Sequence, residues 1–259
     1  MPDAQSPRDR PRSIDLTGTV VVELGTRAPT KAGDHLALSK LVARLVDVDD
    51  ASVSLTQQCQ HCGATDHGAL RIHLAGGTKG GPTLHVSLAR SGDRLALAVT
   101  AAGPVGIDLE SVQAVSRAPL TEVLLSPSEA DALARLGPPG SEAALAALWT
   151  AKEAVLKAAG VGLRVDPREL TIARDRSAGS AGQTSAEVDA QDAQDTDARA
   201  KNADNQTLVD WPHAPFPLSE LHLLSLATRP GTAGTVAVVS ARRPALRILV
   251  PGREARPTR

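Results

Sequence analysis

A predicted helix over residues 141–159 carries three charged side chains at positions where burial is expected. At about 100° per residue, Lys152 points to the middle of an apolar stripe, and Glu153 and Lys157 share a narrow polar edge. Gly160 then ends the helix in a place that favours a left-handed residue. A buried charge needs a partner, a metal or a ligand. The alternative is a Glu153–Lys157 surface pair, which leaves Lys152 unexplained.

A second acidic element lies about forty residues upstream, in the predicted strand over residues 105–110. Strand alternation puts the odd-numbered apolar residues on one face and Gly106, Asp108 and Glu110 on the other. The two acids lie roughly 6–7 Å apart at the backbone, so their oxygens can converge on one hard divalent cation. An exposed Asp-x-Glu pair without a metal is also common on strands.

The two cysteines form a Cys-x-x-Cys pair, Cys59 and Cys62, with His67 and His73 nearby. Such a pair is half of a zinc site, and His67 could add a third ligand. A second close pair is missing. The sequence therefore favours a structural turn before a strand at 70–74, with zinc as the alternative.

The rest of the sequence predicts the strands, helices and loops that must position these side chains. Arg90 and Ser91 fall in a short polar loop, 89–93, between two strands. Ser126-Pro127-Ser128-Glu129 has the form of a capping box that opens a helix. The other predicted elements are strands at 16–24, 84–87, 95–100, 165–173, 221–227 and 235–240, a helix at 34–46, and an edge strand at 245–250.

Composition excludes several classes of function. The 259 residues carry a formal net charge of −1, and the aromatic residues are only Trp149, Trp211 and Phe216. Nucleic-acid binding and a membrane span are therefore not expected. The chain has too few cysteines for a disulfide framework, and its N-terminal residues do not resemble a secretory signal. We therefore expect a cytoplasmic protein. We expect a disordered leader at 1–13, a disordered acidic insertion at about 175–207 and a basic tail at 251–259.

The two acidic elements together resemble a known family. Val105-Gly106-Ile107-Asp108-Leu109-Glu110, followed by Trp149-x-x-Lys152-Glu153-Ala154-x-x-Lys157-x-x-Gly160-x-Gly162-Leu163, is similar to the 4′-phosphopantetheinyl transferases of the surfactin-synthetase-activating (Sfp) type, in the holo-[acyl-carrier-protein] synthase superfamily. Cys59-x-x-Cys62-Gly63 with His67-Gly68, and the helix start at Ser126, extend the similarity. It covers about residues 34–175 and 218–240.

The resemblance implies transfer of 4′-phosphopantetheine from coenzyme A to a serine of an acyl or peptidyl carrier protein, with release of adenosine 3′,5′-bisphosphate. It implies Mg²⁺ held by Asp108, Glu110 and Glu153. Glu153 would also take the serine proton, and Lys157 would neutralise phosphate charge. The residues implied to contact coenzyme A are Arg44, Arg71, Arg90, Ser91, Asp108, Lys152 and Lys157.

Two departures from the family pattern alter the expected phosphate contacts. Arg90 stands where the family usually has a histidine, so a phosphate-binding role is carried over but a proton-transfer role is not. Ala69 and Leu70 replace a common basic residue and proline, and Arg71 could substitute for the lost contact. For the 3′-phosphate, Lys31, Lys40 and Arg44 are all candidates, and Arg44 is the one carried into the predicted coenzyme A contacts.

The implied fold is α+β and pseudo-dimeric, with two similar halves at 14–104 and 105–250 and the active site between them. Such an internal duplication predicts a monomer. Two other functions stay open. One is a non-catalytic homologue that binds coenzyme A or a carrier protein, and the other is a metal-dependent phosphohydrolase acting on nucleotides.

Overall fold

The structure is a computed structural model that describes residues 14–59, 61–76, 82–175 and 205–249. The predicted leader, the tail and residues 176–204 of the predicted insertion lie outside these ranges. The helices are α1 Lys31–Val46, α2 Val112–Arg117, α3 Thr121–Leu124, α4 Pro127–Ala134 and α5 Gly140–Ala158. The strands are β1 Thr19–Thr26, β2 Val53–Gln58, β3 Ala69–Leu74, β4 His85–Ser91, β5 Arg94–Thr100, β6 Val105–Ser111, β7 Thr171–Asp175, β8 Asn205–Asp210, β9 Leu221–Ser225, β10 Thr232–Val239 and β11 Ala245–Leu249.

Two sheets form the centre of the described molecule. One has the strand order β11-β1-β5-β4, and the other has the order β6-β10-β9. The predicted edge strand is confirmed as β11, which pairs in parallel with β1. The last described strand therefore completes the sheet built by the first strands of the chain. Two hairpins, β2–β3 and β7–β8, complete the set.

The described elements form four layers, in the order α1, the four-stranded sheet, the three-stranded sheet and α5. Alternating side chains on the strands fill the spaces between these layers. On β5, Leu95 and Leu97 pack with α1, whereas Ala96 and Ala98 face the three-stranded sheet. The apolar face of β6 packs in that same inter-sheet core, and α5 covers the opposite face of β6. The predicted mixed α+β class is confirmed, while a two-fold relation between the halves stays a prediction. Among the described residues, no helix is both long enough and apolar enough to traverse a bilayer.

Several element boundaries differ from the sequence-based prediction. Residues 162–164 and 167–169 form short 3₁₀ turns, so β7 begins only at Thr171. Residues 205–207, predicted to be disordered, open β8, which pairs with β7. Of these residues only Thr207 favours strands by type, and pairing with β7 supplies backbone partners that the local sequence does not indicate. Gly160 adopts a φ of 70°, which confirms the predicted end of α5.

Gly106 sets the approach of α5 to β6. A Cβ atom at this position would lie 1.9 Å from the Ala154 carbonyl oxygen and 2.6 Å from the Ala158 nitrogen. Both are backbone atoms of a packed helix, so neither can give way locally. Only a residue without a side chain allows the helix to lie this close to the strand.

We expect Gly106→Ala to lower the free energy of unfolding by at least about 2 kcal/mol, because α5 must shift to relieve the contact. Denaturant titration followed by circular dichroism measures this change. Gly140→Ala, at the start of the same helix, is the control, because its Cβ would meet open space. Equal stability of the two variants would contradict the packing argument.

Candidate active site

The close approach of α5 to β6 brings two predicted site residues into direct contact. The Lys157 ammonium donates to Asp108 Oδ1 at 2.7 Å and to the Ile107 carbonyl at 3.0 Å. Asp108 lies on the face of β6 that also carries Gly106, as strand alternation predicted. The helix thus places the positively charged Lys157 side chain against the acidic face of the strand.

Three carboxylates share this region. Burial raises the pKa of Asp108 to about 6 against the opposing effect of Lys157, and Glu153 and Glu110 raise it further. Burial also raises the pKa of Glu153, with Lys157 lowering it and Glu110 adding to the rise. The negative charges of the three carboxylates therefore repel one another, and the single positive charge of Lys157 does not neutralise them.

The donor set fits a hard divalent cation. Asp108 Oδ2 is buried and has no hydrogen-bond partner, and carboxylate oxygens are the ligands that Mg²⁺ prefers. The ligand oxygens of the three acids do not all lie within 4.8 Å of one another. Within the described ranges that distance is met by one cluster of another kind, Cys59, Cys62 and His67. The Ser91 hydroxyl donates to Glu110 Oε2 at 3.0 Å, which ties Glu110 towards β4.

Lys152 does not reach the site, which corrects the expectation that it contacts phosphate. Its side chain is 1% exposed, and its ammonium donates to Glu129 Oε2 at 2.5 Å. The Leu124 carbonyl at 2.7 Å and the Pro167 carbonyl at 3.0 Å accept its other two protons. All three donors are used inside the protein, so no N–H is left for a ligand.

Arg90 and Ser91 belong to β4 rather than to a loop, because the turn is limited to the residues between β4 and β5. The Arg90 Nε donates to Asp34 Oδ2 at 2.5 Å, and this carboxylate is fully buried at the start of α1. Burial opposes ionisation of Asp34, but the donors Arg90 and Ala28 N–H outweigh it, so its pKa lies below the ordinary value. Arg90 Nη2 is buried without a partner, which leaves a donor for a ligand.

A cleft of about 1000 Å³ lies between the β2–β3 hairpin and the C-terminal part of α5. Glu153 and Lys157 line one wall, and Arg71 and Arg90 line the other side. Arg44 is not among the lining residues, and its guanidinium pairs with Glu23 instead. The cleft is large enough for an extended organic ligand.

The sequence analysis missed two acidic residues that position the basic groups. Glu129 was recognised only as a helix-capping residue, and Asp34 was included only in a helix. One signal was present for Asp34, since an acid in the first turn of a helix interacts favourably with the helix dipole. The contacts with Lys152 and Arg90 join residues 23 and 56 positions apart, and no local pattern records such pairs.

Comparison with protein families was informative for part of the chain. Residues 104–209 match the model of the 4′-phosphopantetheinyl transferase superfamily. The matched segment begins just before β6 and includes Asp108, Glu110, Glu153 and Lys157. The comparison with curated proteins gave no match. The match supports, for this segment, a transferase that handles phosphopantetheine in general.

Proposed function

We propose that this protein is a 4′-phosphopantetheinyl transferase of the Sfp type. It moves the phosphopantetheine group of coenzyme A to a serine hydroxyl of an apo acyl or peptidyl carrier protein. Adenosine 3′,5′-bisphosphate leaves, and the reaction depends on Mg²⁺. The enzyme acts as a cytoplasmic monomer.

The observation that carries the proposal is the charge arrangement around Asp108. A buried carboxylate with one unpaired oxygen lies beside Lys157, and two further acids raise its pKa. Such an arrangement is costly unless a cation completes it. Phosphoryl transfer needs such a cation next to a binding cleft, and Glu153 and Lys157 line that cleft.

Asp108, Glu110 and Glu153 would hold Mg²⁺, which when bound would neutralise charge on the pyrophosphate oxygens. The serine oxygen attacks the β-phosphorus of coenzyme A, and the bond from that phosphorus to the bridging oxygen breaks. Glu153, which lines the cleft next to the proposed metal site, accepts the serine proton directly or through a water molecule. Lys157, half-buried beside the acids, stabilises the negative charge on the leaving bisphosphate.

Intact-mass spectrometry of an apo carrier protein incubated with enzyme, coenzyme A and Mg²⁺ tests the proposal. A mass gain equal to phosphopantetheine supports transfer. Binding of coenzyme A without labelling indicates the non-catalytic homologue. Release of bisphosphate without labelling indicates a phosphohydrolase. A panel of fatty-acid, polyketide and peptide-synthetase carriers, assayed side by side, then identifies the carrier.

The position of Arg71 in the cleft gives a test of coenzyme A binding. We expect Arg71→Ala to raise the KM for coenzyme A about tenfold with little change in kcat, because it removes one exposed charged hydrogen bond to phosphate. Arg44→Ala is the matched control, since this arginine lies outside the cleft lining and should leave KM unchanged. Equal effects of the two substitutions would remove Arg71 from the binding site.

A further inference from the structure

A second cluster with the chemistry of a metal site lies at the tip of the β2–β3 hairpin. The Sγ atoms of Cys59 and Cys62 and a ring nitrogen of His67 all lie within 4.8 Å of one another. The Cys62 Sγ is 3.3 Å from His67 Nε2. Both cysteines are free thiols. The mechanism proposed above uses none of these groups.

Backbone hydrogen bonds hold the turn that carries the two cysteines. The Cys59 N–H donates to the Ala64 carbonyl at 2.8 Å, and the Gly63 N–H donates to the Cys59 carbonyl at 2.9 Å. Gly63 has a φ of 75°, and a Cβ there would meet nothing within 4 Å. Glycine is therefore needed for the turn itself and not for space.

The imidazole of His67 is oriented by a carboxylate. Its Nδ1 lies 2.7 Å from Asp66 Oδ1, so an Nδ1 proton donated to this oxygen leaves Nε2 as the free lone pair next to Cys62. Metal-binding histidines commonly make this outer contact. Lys31 of α1 also donates to the backbone carbonyl of Asp66, which fixes the loop to the helix.

We propose that Cys59, Cys62 and His67 bind Zn²⁺. Two thiolates and one imidazole form a ligand set that zinc binds in tetrahedral geometry. Three protein ligands leave a fourth position, and all three residues line the same cleft as Glu153 and Lys157. A bound ion would therefore tie the hairpin tip together at the wall of this cleft. This inference does not depend on the transfer reaction.

Zinc content of the untagged full-length protein tests the site without coenzyme A or a carrier. After purification with reductant and equilibration with Zn²⁺, mass spectrometry of the metal should give one zinc ion per chain. Cys59→Ser and Cys62→Ser should lose it, because serine is a poor zinc ligand. Asp66→Asn should weaken zinc binding about 10–100-fold, since it removes only the outer contact.

Two control variants separate this site from the proposed Mg²⁺ site. His73→Ala removes a histidine of β3 that lies outside the cluster, and Glu153→Gln removes a predicted Mg²⁺ ligand. Both should keep the zinc ion. Circular dichroism checks that each cysteine variant stays folded, which is expected because Cys62 is exposed and Cys59 is only partly buried.

Cobalt gives a second readout that reports the ligands directly. Co²⁺ bound to the wild-type protein should give the near-ultraviolet absorption of thiolate-to-cobalt charge transfer, and Cys62→Ser should reduce it. Two results would overturn the site. One is a wild-type protein that binds neither ion after reduction, and the other is a cysteine variant that is folded and holds as much zinc as the wild type.

Discussion

Glu153→Gln is expected to lower carrier labelling by about 10²–10⁴-fold while leaving the fold intact. The substitution keeps the size of the side chain but removes the carboxylate that would bind Mg²⁺ and accept the serine proton. Glu153 is partly exposed at the cleft and makes none of the buried structural contacts described above. Intact-mass labelling rates, measured with excess coenzyme A and carrier, give the effect.

Glu142→Gln is the matched control, because Glu142 is an exposed glutamate at the start of the same helix. It should label carrier at the wild-type rate. Raising the Mg²⁺ concentration separates the two roles of Glu153. Partial recovery of labelling indicates lost metal affinity, whereas an unchanged deficit indicates loss of the proton acceptor. Full labelling by Glu153→Gln at ordinary Mg²⁺ would refute both roles.

Strand β6 shows which features of the site could be predicted from local sequence periodicity. Alternation alone predicted that Gly106, Asp108 and Glu110 share one face, and the structure places α5 over that face. Helix spacing likewise predicted that Lys152 is buried and that Gly160 ends the helix. These features depend on backbone geometry repeated over a few residues, which the sequence records directly.

The partners of the buried charges could not be predicted in this way. The helical spacing placed Lys152 in an apolar stripe, but its acceptors come from α4, from the last residue of α3 and from the turn that contains Pro167. Arg90 is held by Asp34 from α1. Each pair depends on how elements distant in sequence pack. For both basic residues the family resemblance implied a phosphate partner, whereas the fold provides a carboxylate.

Lys152→Met is expected to lower the free energy of unfolding by about 3–5 kcal/mol, the second of the two largest effects. The substitution leaves the Glu129 carboxylate buried without its cation. Glu129 Oε1 still accepts the Ile172 N–H and Oε2 still accepts the Ser126 N–H. Those neutral donors do not replace a full positive charge. The loss should appear as a lower denaturant midpoint with an unchanged slope.

A double variant and a surface control identify the source of this loss. Lys152→Met combined with Glu129→Gln should be more stable than the sum of the single changes implies, because no isolated charge is then left in the interior. Lys40→Met, on the exposed side of α1, should change stability by no more than about 0.5 kcal/mol. Strict additivity of the two buried changes would contradict the ion pair.

The same variant decides between the structural and the phosphate-binding role of Lys152. At a temperature where Lys152→Met stays folded, its KM for coenzyme A should match that of the wild type, because the ammonium is already saturated by protein acceptors. If Lys152 instead bound phosphate, the Lys152→Met variant would have normal stability and a raised KM for coenzyme A. The lysine next to the proposed catalytic glutamate would then hold α5 against α4 and the Pro167 turn, and so fix the direction in which Glu153 enters the cleft.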